Sequence, residues 1–206
     1  MSTLLVIAKA PVAGRVKTRL TPHFTPEEAA ALARAALQDT LAAVLAAPAE
    51  RRVLVLDGHP GSWLPEGVEV VPQCAGGLDA RLAAAFSHVD GPALLIGMDT
   101  PQVTPDLLAR GLDFGEADAW FGPADDGGFW ALGLAEPDPA LLLGVPMSVA
   151  HTGREQRRRL TASGRAVRDL PALRDVDTPD DAARVAAALP GTRFAALHGG
   201  LCAAAR

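Results

Sequence analysis

The chain has 206 residues, 49% of them hydrophobic, and a formal net charge of −5 at neutral pH. This length suits one α/β domain with a large core, and the negative charge argues against a nucleic-acid-binding surface, which is normally basic. Two cysteines, Cys74 and Cys202, cannot build a disulfide framework, so a reducing compartment is expected. The apolar run 4–8 is too short to span a membrane and lacks a preceding basic stretch. We therefore expect a soluble, cytoplasmic protein without a membrane partner.

Apolar runs of strand length alternate with longer helical segments, which is typical of a largely parallel sheet covered by helices on both faces. Thr25-Pro26-Glu27-Glu28 has the form of a capping box and predicts a helix that begins there and ends near Ala46. We treat residues 1–190 as one domain and expect the Ala- and Gly-rich tail 191–206 to be loosely held. The predicted strands are 4–8, 53–56, 68–71, 93–96, 119–122, 129–134 and 166–170, and the later helices are 79–86, one from Thr104-Pro105, 153–162 and 178–189.

A basic, glycine-containing loop follows the first predicted strand, and it carries Lys9, Gly14, Arg15, Lys17 and Arg19. Ligands of open α/β sheets bind outside the carboxyl ends of the strands. Backbone N–H groups and cationic side chains in such a loop can hold an anion. The segment contains neither a P-loop nor the dinucleotide pattern G-x-G-x-x-G. It predicts a phosphate site of another kind, and the alternative is a solvated basic loop.

Acidic residues follow two later apolar segments. Asp99 comes directly after the buried strand 93–96, where a carboxylate can hold a hard cation such as Mg²⁺, although Asp is also common in turns for local reasons. Asp175 and Asp177 flank Val176 and therefore point to one side of an extended segment. Thr178 already caps the following helix, so either carboxylate is free to serve as a second metal ligand.

The segment Asp125-Asp126-Gly127-Gly128 joins two predicted strands as a hairpin turn. Two acids and two glycines exceed what a turn requires, and glycine lets a backbone approach a ligand closely. The five histidines lack the spacing of metal ligands, and the nucleophile motif G-x-S-x-G is absent from the sequence. The turn is therefore a further candidate for substrate binding.

Five segments in this order resemble the bacterial radical-SAM/selenodomain-associated transferase 1 family, which belongs to the glycosyltransferase-A, or nucleotide-diphospho-sugar transferase, superfamily. The likeness extends over nearly the whole chain, up to the last predicted helix. It implies a single-domain, Rossmann-like fold with a mixed, mostly parallel sheet flanked by helices. The segments are 8–11 (AKAP), 14–20 (GRVKTRL), 97–101 (GMDTP), 122–128 (GPADDGG) and 175–179 (DVDTP).

The resemblance implies that the basic loop lies by the nucleotide phosphates and that Asp99 is the principal ligand of Mg²⁺ or Mn²⁺. Asp177 matches a second acid near the metal, and Asp126 falls where an acid or base for the acceptor is expected. The sequence departs from the family at Met147 and Val149, where Trp and Thr are usual. The predicted site comprises a catalytic set of Asp99, Lys17 and Asp126, metal ligands Asp99 and Asp177, and a substrate-binding set of Lys9, Gly14, Arg15, Arg19, Asp125, Gly127 and Gly128.

The leading functional hypothesis is glycosyl transfer from a nucleotide-diphosphate sugar to a small acceptor, with a divalent metal and cations stabilising the departing diphosphate. The alternative is nucleotidyl transfer of the guanylyltransferase type, as in deazaflavin- or molybdenum-cofactor synthesis, in which pyrophosphate leaves. The motifs do not separate these reactions, because both need a cation-and-metal site. A third hypothesis is a nucleotide-binding domain without turnover, because fold alone does not fix function. The sequence does not predict the oligomeric state.

Overall fold

A computed structural model describes residues 1–21 and 23–204, and within them seven strands form one sheet with helices on both faces. The strands are β1 (Thr3–Lys9), β2 (Arg51–Asp57), β3 (Glu69–Pro72), β4 (Ala93–Gly97), β5 (Ala119–Pro123), β6 (Phe129–Leu134) and β7 (Val167–Asp169). Their order across the sheet is β3-β2-β1-β4-β6-β5-β7. Strand β6 is antiparallel to both neighbours, β4 and β5, and the other pairs are parallel. The predicted α/β class with a mostly parallel sheet is confirmed.

Three of the helices begin directly after the capping residues that the sequence indicates, Thr25, Thr104 and Thr178. Thr25 and Glu28 form the reciprocal capping box of α1, because each side chain accepts a hydrogen bond from the other's backbone N–H. By length and composition the helix Pro26–Ala46 is apolar enough to cross a membrane. However, 61% of its most apolar stretch is buried inside the fold, as in a core helix. The helices are α1 (Pro26–Ala46), α2 (Leu78–Phe86), α3 (Pro105–Leu112), α4 (Thr152–Ala162), α5 (Pro179–Ala188) and α6 (Arg193–Ala204).

Successive side chains of the central strands enter two different cores, as the two-residue repeat of an extended chain requires. In β1, Leu4 and Val6 pack with α1 on one face of the sheet, whereas Leu5 packs with α2 on the other. Strands β2 and β4 alternate in the same way. Burial of each of these leucines contributes about 2 kcal/mol. Because both faces are covered, the strands read in the sequence as continuous apolar runs.

The C-terminal segment differs from the loose tail expected from its composition. Residues Arg193–Ala204 form α6, which packs on α1 and α5 and buries Phe194. Asp39 of α1 accepts hydrogen bonds from the backbone N–H groups of Arg193 (3.2 Å) and Phe194 (2.9 Å), so its carboxylate satisfies the exposed start of α6. The Ala- and Gly-rich composition predicted a loosely held tail, but burial of the Phe194 ring and the hydrogen bonds to Asp39 hold this segment in place. Residues 205–206 of the expected tail lie outside the described residues.

The topology sets the position of the site. From β1 the chain proceeds to β2 and β3 on one side, and α2 returns it to β4 on the other side of β1. A crevice opens at the carboxyl ends of strands whose connections diverge in this way. The basic loop after β1 and the Asp99 loop after β4 therefore meet at one edge of the sheet.

Candidate active site

A cavity of about 790 Å³ lies at this edge. It is lined by the loop after β1, the end of β4, the β5–β6 turn, the segment before α4 and the segment before α5. Eight of the predicted site residues line it together, although they come from four separate parts of the chain. They are Lys9, Arg15, Lys17, Arg19, Asp99, Asp126, Gly128 and Asp177.

Lys17 lines the cavity and contacts two other segments that border it. Its ammonium nitrogen is 2.7 Å from Asp99 Oδ1 and also donates to the carbonyl of Val176, and its side chain is only 8% exposed. Lys17 has a φ of 50°, in the left-handed region, which costs a non-glycine residue about 1 kcal/mol or more. Contacts with two distant segments hold this conformation, and they direct the charge of Lys17 at Asp99.

The other cations of the basic loop are nearer to solvent. Arg19 forms an ion pair with Asp177, and its side chain is 76% exposed. Lys9 and Arg15 are exposed at the margin of the cavity. Together with Lys17, these side chains bring four cations to the cavity from one loop, which suits a polyphosphate better than a single carboxylate.

Asp175 is the more buried of the two carboxylates that the sequence left as alternatives. Burial is the main cause that raises its pKa to about 7, and the negative charges of Asp99, Asp126 and Asp177 raise it further, while Lys17 opposes the shift. Asp177, in contrast, is paired with Arg19. The alternation about Val176 placed both acids on one side, but their different surroundings come only from the folded structure.

The acidic side of the cavity fits a divalent metal ion that is partly coordinated by substrate. Within residues 1–21 and 23–204, no three His, Cys, Asp or Glu side chains are grouped closely enough to hold a metal ion by themselves. Mg²⁺ commonly uses one or two protein carboxylates and completes its shell with water and substrate phosphates. Asp99 Oδ1 is buried, and its polar partner among the described residues is the Lys17 ammonium at 2.7 Å, which shows that this position favours a cation. Asp99 and Asp177 as metal ligands stay a prediction, with Asp175 as a further candidate.

Three residues predicted to bind substrate lie outside the cavity lining. Asp125 forms an ion pair with Arg174 at 2.8 Å. Gly127 has a φ of +89°, and a Cβ atom there would lie 2.1 Å from the carbonyl oxygen of Ala150. Gly14 has a φ of +72° and open space around it. These residues form turns and pack the loops, whereas their neighbours Asp126, Gly128 and Arg15 face the cavity.

Sequence reasoning missed a polar wall near the ends of β2 and β3. The side-chain amide of Gln73 donates to the carbonyls of Ala8 (2.7 Å) and Val55 (3.0 Å). Arg81 of α2 donates to Gln73 Oε1 (3.1 Å) and to Asp57 Oδ2 (2.9 Å). Gln73 and Arg81 line the cavity. The position of Gln73 directly after β3, at the carboxyl edge of the sheet, was the signal that could have identified it.

The sequence is 32% identical over 183 residues to the 2-phospho-L-lactate guanylyltransferase of Halorubrum lacusprofundi, a match that covers 83% of this chain and 79% of that protein. The fold is similar to that of a proposed nucleotide-diphospho-sugar transferase from Desulfovibrio desulfuricans G20, with a TM-score of 0.88 and 25% identity over 98% of this chain and 95% of that one. Rv0371c from Mycobacterium tuberculosis, solved in complex with manganese, has a TM-score of 0.57 and 25% identity, with 89% of this chain and 96% of that one covered.

These similarities confirm the predicted class of enzyme, a transferase, and the nucleotide-diphospho-sugar transferase-like fold. The sequence pattern of a family described as "Uncharacterized protein conserved in bacteria (DUF2064)" matches residues 31–149, which include β2 to β6 and the Asp99 loop. This match extends over more than half of the chain. The chain therefore belongs to the bacterial family DUF2064.

Proposed function

We propose that this protein is a metal-dependent nucleotidyltransferase that joins a nucleoside monophosphate unit to a phosphate-bearing small molecule. The cavity fits both transfer reactions predicted from the sequence, because each needs cations facing a polyphosphate. The observation that favours nucleotidyl transfer is the 32% identity to a guanylyltransferase over 83% of the chain. Glycosyl transfer, the leading hypothesis from the sequence, becomes the alternative.

In the proposed reaction, a phosphate oxygen of the acceptor attacks the α-phosphorus of a nucleoside triphosphate. The new O–P bond forms as the bond between the α-phosphorus and its bridging oxygen breaks, and pyrophosphate leaves with that electron pair. Lys17 and Arg19 stabilise the negative charge that builds on the leaving group, and Arg15 binds the outer phosphates. Asp99, with Asp175 or Asp177, would hold a divalent ion, which would supply further neutralisation of phosphate charge when bound. Positioning by these fixed groups is the other main source of rate.

The nature of the acceptor changes the role of Asp126. A phosphate monoester has its second pKa near 6, so it is already a nucleophilic anion at neutral pH and needs no general base. Asp126 Oδ1 accepts a hydrogen bond from the backbone N–H of Gly128 at 2.8 Å, which holds the carboxylate in the turn. We therefore assign Asp126 to positioning of the acceptor. The general-base role belongs to the glycosyl alternative, whose acceptor is a hydroxyl or thiol.

Product analysis tests the proposal directly. The purified protein is incubated with Mg²⁺ or Mn²⁺, a mixture of phosphate-bearing acceptors, and either nucleoside triphosphates or nucleotide sugars. We expect acceptor-dependent release of pyrophosphate from a triphosphate. Release of a nucleoside diphosphate from a nucleotide sugar, without pyrophosphate formation, would instead establish the glycosyl alternative.

Substitution of Asp99 tests the location of the site. We expect Asp99→Asn to lower pyrophosphate release by about 10³-fold, because the substitution removes the carboxylate charge that holds a cation at the reacting phosphates. Asp106→Asn is the matched control, because Asp106 is exposed in the first turn of α3 and does not line the cavity. Equal activity of the two variants would contradict the proposed site.

Membership of the narrower radical-SAM/selenodomain-associated transferase 1 group stays a prediction, as does the cytoplasmic location. A nucleotide-binding domain without turnover is not favoured, because the similar proteins are described as transferases.

A further inference from the structure

One wall of the cavity is apolar and partly open to solvent. Five large hydrophobic side chains are exposed in the described part of the chain, and two of them, Leu78 (43% exposed) and Val149 (40% exposed), line this cavity. Met147 and Phe129 line it as well and are half-buried. Exposed apolar side chains that converge on a cavity indicate a ligand with matching apolar surface, since exposure otherwise costs free energy.

This wall is a continuation of the hydrophobic core. Leu82, Leu95, Phe129 and Met147 line the cavity and belong to, or pack against, the core on the α2 face of the sheet. Their positions are therefore fixed by close packing before any ligand binds. An apolar surface held in this way is a preformed part of the cavity.

Two tight contacts fix the loop that carries Met147 and Val149. Asp79 Oδ2 accepts a hydrogen bond of 2.9 Å from the backbone N–H of Gly144, which joins the start of α2 to the chain just before Met147. At the other end, the backbone N–H of Gly153 donates to the carbonyl of Gly127 at 2.8 Å. A Cβ atom on Gly153 would lie 2.3 Å from the Gly128 carbonyl oxygen, so these backbones can meet only because glycine is present.

The apolar wall takes Leu78 and Leu82 from α2, and the rest of its side chains come from the β6 side of the sheet. Gln73 and Arg81 offer hydrogen-bonding groups near the ends of β2 and β3, and the basic loop follows β1. The apolar wall is completed from the β6 side by Phe129 and by the 147–149 loop. In the described structure, the cavity-lining parts of 126–130 and 147–152 contribute no cation. A donor triphosphate fits the basic side, which leaves the apolar wall to the second substrate.

We infer that the acceptor is a soluble phosphate monoester whose organic body is hydrocarbon-like, either alkyl or aromatic, and lies against Leu78, Met147 and Val149. This inference rests on the proposed nucleotidyl transfer and names the class of its acceptor. The phosphate lies at the charged end of the cavity, where it attacks the α-phosphorus as described above.

Binding of a homologous series measures the contribution of the wall. Ethyl, butyl and hexyl phosphate are titrated calorimetrically into the full chain with Mg²⁺ present and without nucleotide. We expect the dissociation constant to fall by about fourfold for each methylene that the wall buries. Leu78→Asn and Val149→Thr keep the approximate shape of each side chain and should flatten this dependence. Leu143→Asn is the matched control, because Leu143 is 49% exposed and does not line the cavity.

An affinity independent of chain length would overturn the inference, as would equal flattening in Leu143→Asn. If Leu78→Asn and Val149→Thr weaken nucleotide binding and leave the chain-length dependence intact, the wall serves the nucleoside and the inference is wrong. Failure of this test together with pyrophosphate release from a triphosphate would leave the proposed function standing, so the two failures are distinguishable.

A second arm separates a soluble acceptor from a lipid headgroup. The protein is sedimented with phosphatidylcholine vesicles that do or do not contain phosphatidic acid. We expect no co-sedimentation, because a net charge of −5 disfavours approach to an anionic bilayer. Co-sedimentation that requires phosphatidic acid and is lost in Leu78→Asn would overturn the assignment to a soluble acceptor.

Discussion

Two acidic segments border the cavity, and each divides its charges in the same way. In the β5–β6 turn, Asp125 pairs with Arg174 and faces away from the cavity, whereas Asp126 lines it. In the segment before α5, Asp177 pairs with Arg19, whereas Asp175 is more buried and has a pKa raised to about 7. One carboxylate of each pair is thus neutralised by an arginine. The other contributes to a local excess of negative charge.

This comparison shows that the role of an acidic residue depends on the partner that the fold places beside it more than on its charge alone. A carboxylate beside a guanidinium is already satisfied, and at an exposed position such a pair contributes little to stability. A buried carboxylate near other acids is unfavourable by itself, and it is stabilised when a cation binds beside it. Asp175 is in the second situation.

The largest expected effect concerns Asp175. In metal-free protein its pKa is about 7 when folded, against 3.8 for the unperturbed group, so the folded state binds the proton more tightly. The stabilisation of the folded state by this tighter proton binding is fully present below pH 4 and is lost as the pH rises through 7. Asp175→Asn should therefore exceed wild type in free energy of unfolding by up to about 4 kcal/mol at pH 8 and match it near pH 4.

Urea denaturation with a chelator present, at several values of pH, measures this difference. Asp177→Asn is the comparison within the same segment, and we expect it to show no such rise relative to wild type. If the unfolding free energies of wild type and Asp175→Asn stay parallel from pH 4 to pH 8, the raised pKa of Asp175, and with it the distinction from Asp177, is wrong.

The next effect concerns the turn that orients Asp126. Gly127→Ala would place a Cβ atom 2.1 Å from the Ala150 carbonyl oxygen at a φ of +89°, and we expect a loss of about 2–3 kcal/mol in stability. Gly164→Ala is the control, because Gly164 has a similar φ of +81° and nothing within 4 Å of an added Cβ. It should lose only about 1 kcal/mol. Thermal or urea unfolding compares them, and equal losses would show that the turn is not held by this contact.

A third effect concerns Lys17, which occupies the position of a cation beside Asp99. In the absence of nucleotide, Lys17→Met should bind Mn²⁺ about tenfold more tightly than wild type, because a competing positive charge is removed. Free Mn²⁺ measured by electron paramagnetic resonance provides the readout. Lys9→Met removes an exposed cation of the same loop and should leave Mn²⁺ affinity nearly unchanged. No gain in Lys17→Met would mean that Lys17 does not compete with the metal.

The smallest effect separates the two aspartates of the turn. With a phosphate acceptor, Asp126→Asn should lower pyrophosphate release by less than about tenfold, with an unchanged pH profile, because no proton has to be removed. Asp125→Asn should stay within about twofold of wild type. Steady-state rates of pyrophosphate release by both variants, measured between pH 6 and 9, test this expectation. A loss above about 100-fold that depends on pH would indicate general-base catalysis and restore an acceptor with a hydroxyl group.

Several parts of the site could be predicted from the sequence because they depend on position along a strand or a turn. Lys17 and Asp99 were expected at the carboxyl edge of the sheet and Asp126 in a substrate-binding turn, and all three line the cavity. Gln73 and Arg81 were missed because their roles depend on hydrogen bonds between β2, β3 and α2. Gly127 was expected near the substrate, but its glycine character serves the contact with Ala150.

By itself, the sequence determined the alternation of strands and helices, the capping residues of α1, α3 and α5, and the classes of side chain at the strand ends. These features follow from periodicities of two and 3.6 residues and from contacts within three or four positions. Only the tertiary structure decided which charges are neutralised, because Arg19 and Asp177 meet across 158 positions of the chain. It also decided that Arg193–Ala204 form a packed helix, since Asp39 and much of the core around Phe194 lie far away in the sequence.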